Sequence, residues 1–221
     1  MNLPSALFSA EWIAGSWVLA GLWLWRSARR TPWQALKDDR RFHLVAGWAL
    51  GLALLWSIRA GIEAGLTFHV LGAMAATLSL GAPLATLALG LALAVVCANG
   101  AFDAPAYALN FLVTAVWPVI FADAWRRFVA RFLPAHFFVF IFVVAFFGSG
   151  LTLLAEGALA ILVLWGAGAY TLEHLLQDWA PYFVLMGFAE SWLSGAVITM
   201  FVVYRPDWLA AFDDARYLKN K

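Results

Sequence analysis

A short polar island, Arg59, Glu63, Thr67 and His69, interrupts a chain that otherwise avoids charge. An imidazole beside a carboxylate and a hydroxyl can bind a transition-metal ion, move a proton, or sit in a buried ion pair. Arg59 is the only Lys or Arg between Arg41 and Arg126. In hydrocarbon an ionisable side chain costs about 3 kcal/mol or more, so it pairs, faces a cavity or marks a functional path. His69 follows a Gly-containing loop and opens a helical run, which makes it a candidate ligand for Ni(II), Co(II) or Zn(II), with its second ring nitrogen held by an acceptor. The alternative for Glu63 and Arg59 is a structural buried salt bridge.

The other histidines have plainer settings. His43 and His136 stand beside basic or turn residues at the starts of apolar runs, where an interfacial imidazole is ordinary. His174 lies in a polar stretch with Glu173, Gln177 and Asp178 and reads as solvated. The lone Cys97 excludes an intrachain disulfide and a cysteine cluster, and reads as a small buried hydrophobe.

The elements that must position the island are membrane helices. Hydrophobic residues make up 64% of the 221, charged residues only 12%, and mean hydropathy is +0.83, against about 25% charged in a soluble domain. Apolar runs of bilayer length fill the chain, so residues 1–221 read as one polytopic domain. The first residues lack the basic stretch of a cleavable signal, so the N-terminus is expected to be retained.

Apart from Arg59, the basic residues fall into three clusters, Arg26–Arg41, Arg126–Arg131 and Arg205–Lys221, all expected on the cytoplasmic side. Spans are then expected over about Phe8–Trp25 and Phe42–Ile58. Two short helices follow, over VLGAMAATLSL and LATLALGLALAVVCA, separated by Gly81–Pro83. Further spans are expected over Ala106–Trp125, from Phe137 with a kinked or interfacial extension to about Trp165, and over Tyr182–Tyr204. Tyr170–Trp179 is expected at the outer surface. The fold class is an all-α integral membrane protein with seven crossings, N-terminus outside and C-terminus cytoplasmic. Small residues recur every fourth position at Ala6, Ala10 and Ala14, and at Gly47 and Gly51 beside Ala49 and Ala53. Such stripes serve helix packing within the chain or docking of another membrane subunit.

No phosphate-binding loop is present, so the chain cannot hydrolyse ATP itself, and no CxxCH, HExxH or GxSxG signature occurs. Matched broken helices in two halves, the mark of a self-sufficient secondary transporter, are not evident. Active transport by this chain would draw its energy from a partner.

The run GLTFHVLGAMAATLSLGAP, Gly65 to Pro83, resembles the segment around the metal-binding histidine of the CbiM/NikM family, where a Gly-rich loop precedes the His and a Leu-Gly-Ala helix start follows. The opening MNLPSALFS, the run ALNFLVTAVWP around Asn110, and SGAVITMFVVYRPDWL are also similar, and together such runs cover roughly a third of the chain. The resemblance implies a substrate-capture membrane component of an energy-coupling-factor transporter for Co(II) or Ni(II), in the bacterial cytoplasmic membrane. It implies a separate membrane coupling subunit and cytoplasmic ATPase subunits as partners, no organic cofactor and no nucleic acid.

The resemblance also implies a square plane of donors around the metal: the Met1 amine, the backbone nitrogen of residue 2, the imidazole of residue 2, and His69. Here Asn2 stands at the second position, and Ser5 and Ala6 replace the usual Asp-Gly. One of four strong nitrogen donors is missing. Either another residue completes the site, or affinity is lower, or the ligand differs. Glu63, Asp103 and Asn110 are the candidates by topology, while Glu190 receives no role because Ser194 aligns better with the family's last-helix Glu. Two other functions compete. A scaffold or sensor of the same fold would have lost transport, and a haem- or quinone-binding redox protein would need two imidazoles facing each other at similar depth.

Overall fold

A computed structural model describes residues 1–217, with the backbone alone for Asp214 and Arg216; Lys219 and Lys221 of the last basic cluster lie outside the described residues. Among the described residues, seven helices of eight residues or more form the bundle: α1 (Ala10–Arg30), α2 (Asp39–Ser57), α3 (Ala73–Leu80), α4 (Ala82–Ala98), α5 (Ala104–Phe132), α6 (Val139–Gly166) and α7 (Leu172–Tyr204). Between α2 and α3 lies a two-stranded antiparallel hairpin, β1 (Ala60–Glu63) with β2 (Leu66–Phe68). The island expected as a loop is therefore largely this hairpin, and the fold is helical with one small ribbon.

Helices α5, α6 and α7 are long and apolar enough to cross a membrane, and α4 is apolar but shorter. Their exposed faces are large hydrophobic side chains such as Phe142, Phe147, Leu162, Val184, Leu185 and Phe188, as a lipid-facing surface requires. The chain is a multi-pass membrane protein.

Helix α3 is the centre of the fold. All eight of its residues are buried, and it packs against α4, α5, α6 and α7. Eight residues rise only about 12 Å, so both ends sit within the protein, where orphaned backbone groups are costly. Glu190 of α7 accepts from Leu71 N (2.7 Å) and Gly72 N (2.8 Å) at the start. At the other end, Ala210 N and Ala211 N donate to Ser79 O and Leu78 O, each at 3.0 Å. Gly72 has φ 69° just before the helix, and a Cβ there would lie 2.5 Å from Leu52 Cδ2, so only glycine fits.

Two expectations change. Val139–Gly166 is one continuous helix of 28 residues, opened by wide π-type turns over Val139–Phe147. Tyr170–Trp179 is not a separate surface segment: from Leu172 it is the first part of α7, which runs unbroken for 33 residues. Apolar packing of Leu175 and Trp179, both fully buried, holds that polar-looking stretch on the bundle.

Apart from Arg59, which lies beside the hairpin, the clusters of described basic residues gather at one end of the bundle. Arg26 and Arg30 share a cleft with Asp123 and Arg127, and Arg40 and Arg205 both pair with Asp207. The hairpin lies at the opposite end of α2. Ala6, Ala10 and Ala14 are exposed, and a Cβ on Gly47 or Gly51 would meet nothing. The first stripe is therefore not used for packing within the chain, whereas the second divides: Ala53 is buried in the core with Ala49 packed against it, and Gly47 and Gly51 line an apolar groove of about 460 Å³ between α2 and α7.

Candidate functional site

The first residues turn into the bundle and are held there residue by residue. Met1, Asn2 and Leu3 are 2%, 4% and 0% exposed. Asn2 N donates to Thr67 Oγ1 (2.9 Å) in β2, and Leu3 N donates to Asn110 Oδ1 (2.8 Å) in α5. Asn110 Nδ2 returns bonds to Leu3 O (2.8 Å) and Ala106 O (3.0 Å), so one buried amide clamps both polar groups of Leu3. Ser5 N donates to Asp103 Oδ1 (2.8 Å).

This threading carries the Met1 amine to two groups. It contacts His69 Nε2, and it lies 3.7 Å from Glu156 Oε1 of α6. His69 is 5% exposed, with its ring tilted against Trp56 at 5.0 Å between centroids. Its Nδ1 lies 3.1 Å from Val70 O, the donor arrangement that leaves the Nε2 lone pair facing the amine. Burial pushes the His69 imidazole well below its ordinary pKa, and the neighbouring amine adds to this. Burial likewise lowers the amine, against an opposing pull from Glu156. Both nitrogens thereby favour the neutral form that can ligate a metal.

Of the residues singled out in the sequence, Met1 and His69 meet directly. Asn2 stands beside them, but its side chain does not add a donor. With its amide oriented to suit its neighbours, the nitrogen donates to Met1 O (2.9 Å) and the oxygen accepts from Arg59 Nη1 (3.1 Å). Thr67, Asp103 and Asn110 position the N-terminal segment. Glu63 does not reach the site and does not pair with Arg59. It is exposed on the hairpin, 3.5 Å from His174 Nε2, because α2 ends at Ser57 and the strand carries it away from the buried group. His43 is exposed and His136 is half-buried, so His69 is the fully buried histidine among the described residues.

Two buried carboxylates had no role in the sequence reading. Glu190, 1% exposed, accepts from Leu71 N, Gly72 N and Ser194 Oγ (2.9 Å), and so fixes the backbone just after His69. Glu156, 2% exposed, faces the amine. A lone Glu in an apolar run, as in LTLLAEGALAILVLW, is the same signal that drew attention to Arg59. Among the described residues no three His, Cys, Asp or Glu side chains form a metal-ligating group. What the arrangement offers a cation is main-chain and terminal nitrogen, one imidazole and one carboxylate.

Two solved structures share this fold. A truncated transition metal transporter superposes with TM-score 0.79 at 16% identity, covering 92% of this chain and 99% of that one. A second transition metal transporter gives 0.76 at 16% identity, covering 92% and 93%. No curated protein sequence matches the chain. Residues 2–208 match the family described as the cobalt uptake substrate-specific transmembrane region, so the chain is a membrane component of metal transport rather than an enzyme and belongs to the CbiM family.

Proposed function

We propose that this chain is the substrate-capture component of an energy-coupling-factor transporter, and that its substrate is Co(II) or Ni(II). The metal binds at the Met1 amine and His69 Nε2, and at the Asn2 backbone nitrogen once that amide loses the proton it now donates to Thr67 Oγ1. The observation that carries this reading is the buried contact between the chain's own amine and the lone-pair face of a buried imidazole. Few other roles explain why a protein would desolvate its N-terminus so deeply, since the charged amine alone would be costly there.

The accompanying topology has seven crossings in the bacterial cytoplasmic membrane, with the N-terminus and hairpin outside and the basic end cytoplasmic. The gathering of Arg26, Arg30, Arg40, Arg127 and Arg205 at one end supports that orientation. A membrane coupling subunit and cytoplasmic ATPases supply the energy, and the exposed Ala6, Ala10 and Ala14 stripe suits close approach of a partner helix.

The test is Co(II) and Ni(II) binding to purified protein by competition with a chelator. His69→Ala is expected to reduce affinity by about 100-fold or more, since it removes a ligand rather than an outer partner. N-terminal acetylation or extension is expected to weaken binding similarly, because it removes or displaces the amine. Affinity for both metals unchanged by His69→Ala rejects the reading, and an intact protein that binds neither metal leaves the scaffold or sensor in its place.

A further inference from the structure

Glu156 is placed for more than the packing of α6. Its Oε1 is buried, has no hydrogen-bond partner among the described residues, and is the atom 3.7 Å from the Met1 amine. Thr114 Oγ1 on α5 is also buried with no hydrogen-bond partner among the described residues. An unsatisfied buried carboxylate oxygen costs several kcal/mol unless something pairs with it. The other polar groups near the N-terminus are spoken for. Asp103 holds Ser5, Asn110 holds Leu3, Glu190 holds Leu71 and Gly72, and the Asn2 side chain is turned to Arg59.

We propose that Glu156 Oε1 is the donor that completes the metal site where Asn2 supplies no imidazole. The inference rests on the reading that Met1 and His69 bind the metal. Two donors on one first-row ion at about 2.0–2.2 Å stand about 3.0–3.5 Å apart, so the amine and Glu156 need to close by only a few tenths of an ångström from their present 3.7 Å. The amine and His69 Nε2, now in contact, part slightly to admit the ion. The carboxylate also halves the charge that a divalent ion brings into a low-dielectric interior, a function that an imidazole could not perform. The resulting set is harder than one built of nitrogens alone.

A rival role for Glu156 is counter-ion to the ammonium in the empty protein. The two roles predict opposite signs. A counter-ion stabilises the protonated amine against metal, so its removal leaves Co(II) affinity unchanged or higher; removal of a ligand lowers it. The experiment measures Co(II) affinity by chelator competition on full-length wild type, Glu156→Gln, Asn2→His, the double variant and His69→Ala, with metal-free thermal unfolding as the folding control. Glu156→Gln is expected to lose about 100-fold and to alter the Co(II) ligand-field spectrum. Adding Asn2→His to it is expected to restore at least about tenfold, because the imidazole takes the vacated position.

Wild-type or tighter affinity in Glu156→Gln overturns the proposal, as does a double variant that binds no better than Glu156→Gln. If Glu156→Gln does not purify folded, Glu156→Asp keeps the charge and withdraws the oxygen by one methylene; a loss of affinity supports the proposal and an unchanged affinity overturns it. His69→Ala separates the two levels. If it abolishes binding while Glu156→Gln does not, the metal site stands without Glu156; if it has no effect, the underlying reading fails.

Discussion

Two polar groups lie close together at the hairpin end of the bundle and obey different physics. On the surface, Glu63 faces His174, which also contacts Asp178 at 2.9 Å, and all three are open to solvent to differing degrees. Beneath them, Met1, His69, Glu156 and Glu190 are each 5% exposed or less. The exposed group can exchange partners with water at little cost, so its geometry is incidental to stability. In the buried group each polar atom either has a protein partner or carries a penalty, so geometry there is enforced. The contrast explains why the amine and imidazole are held in register by bonds from β2, α5 and α7 while Glu63 makes only solvent-exposed contacts.

The largest break in that contrast should come from Glu190. Glu190→Ala strands Leu71 N and Gly72 N in the interior, and about 2–6 kcal/mol of stability should be lost, at about 1–3 per unpaired group. Denaturant unfolding in detergent measures it, and a loss under about 1 kcal/mol would mean that the buried group is not geometrically enforced. Asn110→Ala should cost less, about 2–4 kcal/mol, because the buried Leu3 N and Leu3 O lose a neutral partner rather than a carboxylate. It should also weaken metal binding up to about tenfold through a less constrained amine. Glu63→Gln is the smallest test. Stability should change by less than about 0.5 kcal/mol and Co(II) affinity by less than about twofold; a larger drop in affinity would join the surface group to the site.

Much of the helical frame was legible because its signals are local. Gly81 and Pro83 separate α3 from α4, with Gly81 at φ 77°, and the break between apolar runs marks the same point in the sequence. The resemblance around Gly65–Pro83 singled out His69, and the opening residues pointed to Met1. Arg59 was weighed as a buried charge, yet it is exposed, because α2 stops at Ser57 and the hairpin carries the chain out of the bundle. Tyr170–Trp179 read as surface from its charges, whereas Leu175 and Trp179 bury the other side of the same helix. The roles of Glu156 and Glu190 were not legible. Glu190 meets Leu71 across 119 residues of sequence, and no periodicity reports a contact at that range.

By itself the sequence determined a membrane protein, its apolar helices, its basic clusters and the histidine worth attention, because bilayer thickness, hydropathy and turn chemistry act within one turn or one span. Tertiary structure alone decided which polar groups share an interior. It brought the amine to His69, turned Asn2 outward to Arg59, and set Glu156 opposite the amine. Those choices depend on how α3, α5, α6 and α7 pack, and packing sets burial, which in turn decides whether a carboxylate is a solvated ornament or a group that must find a partner.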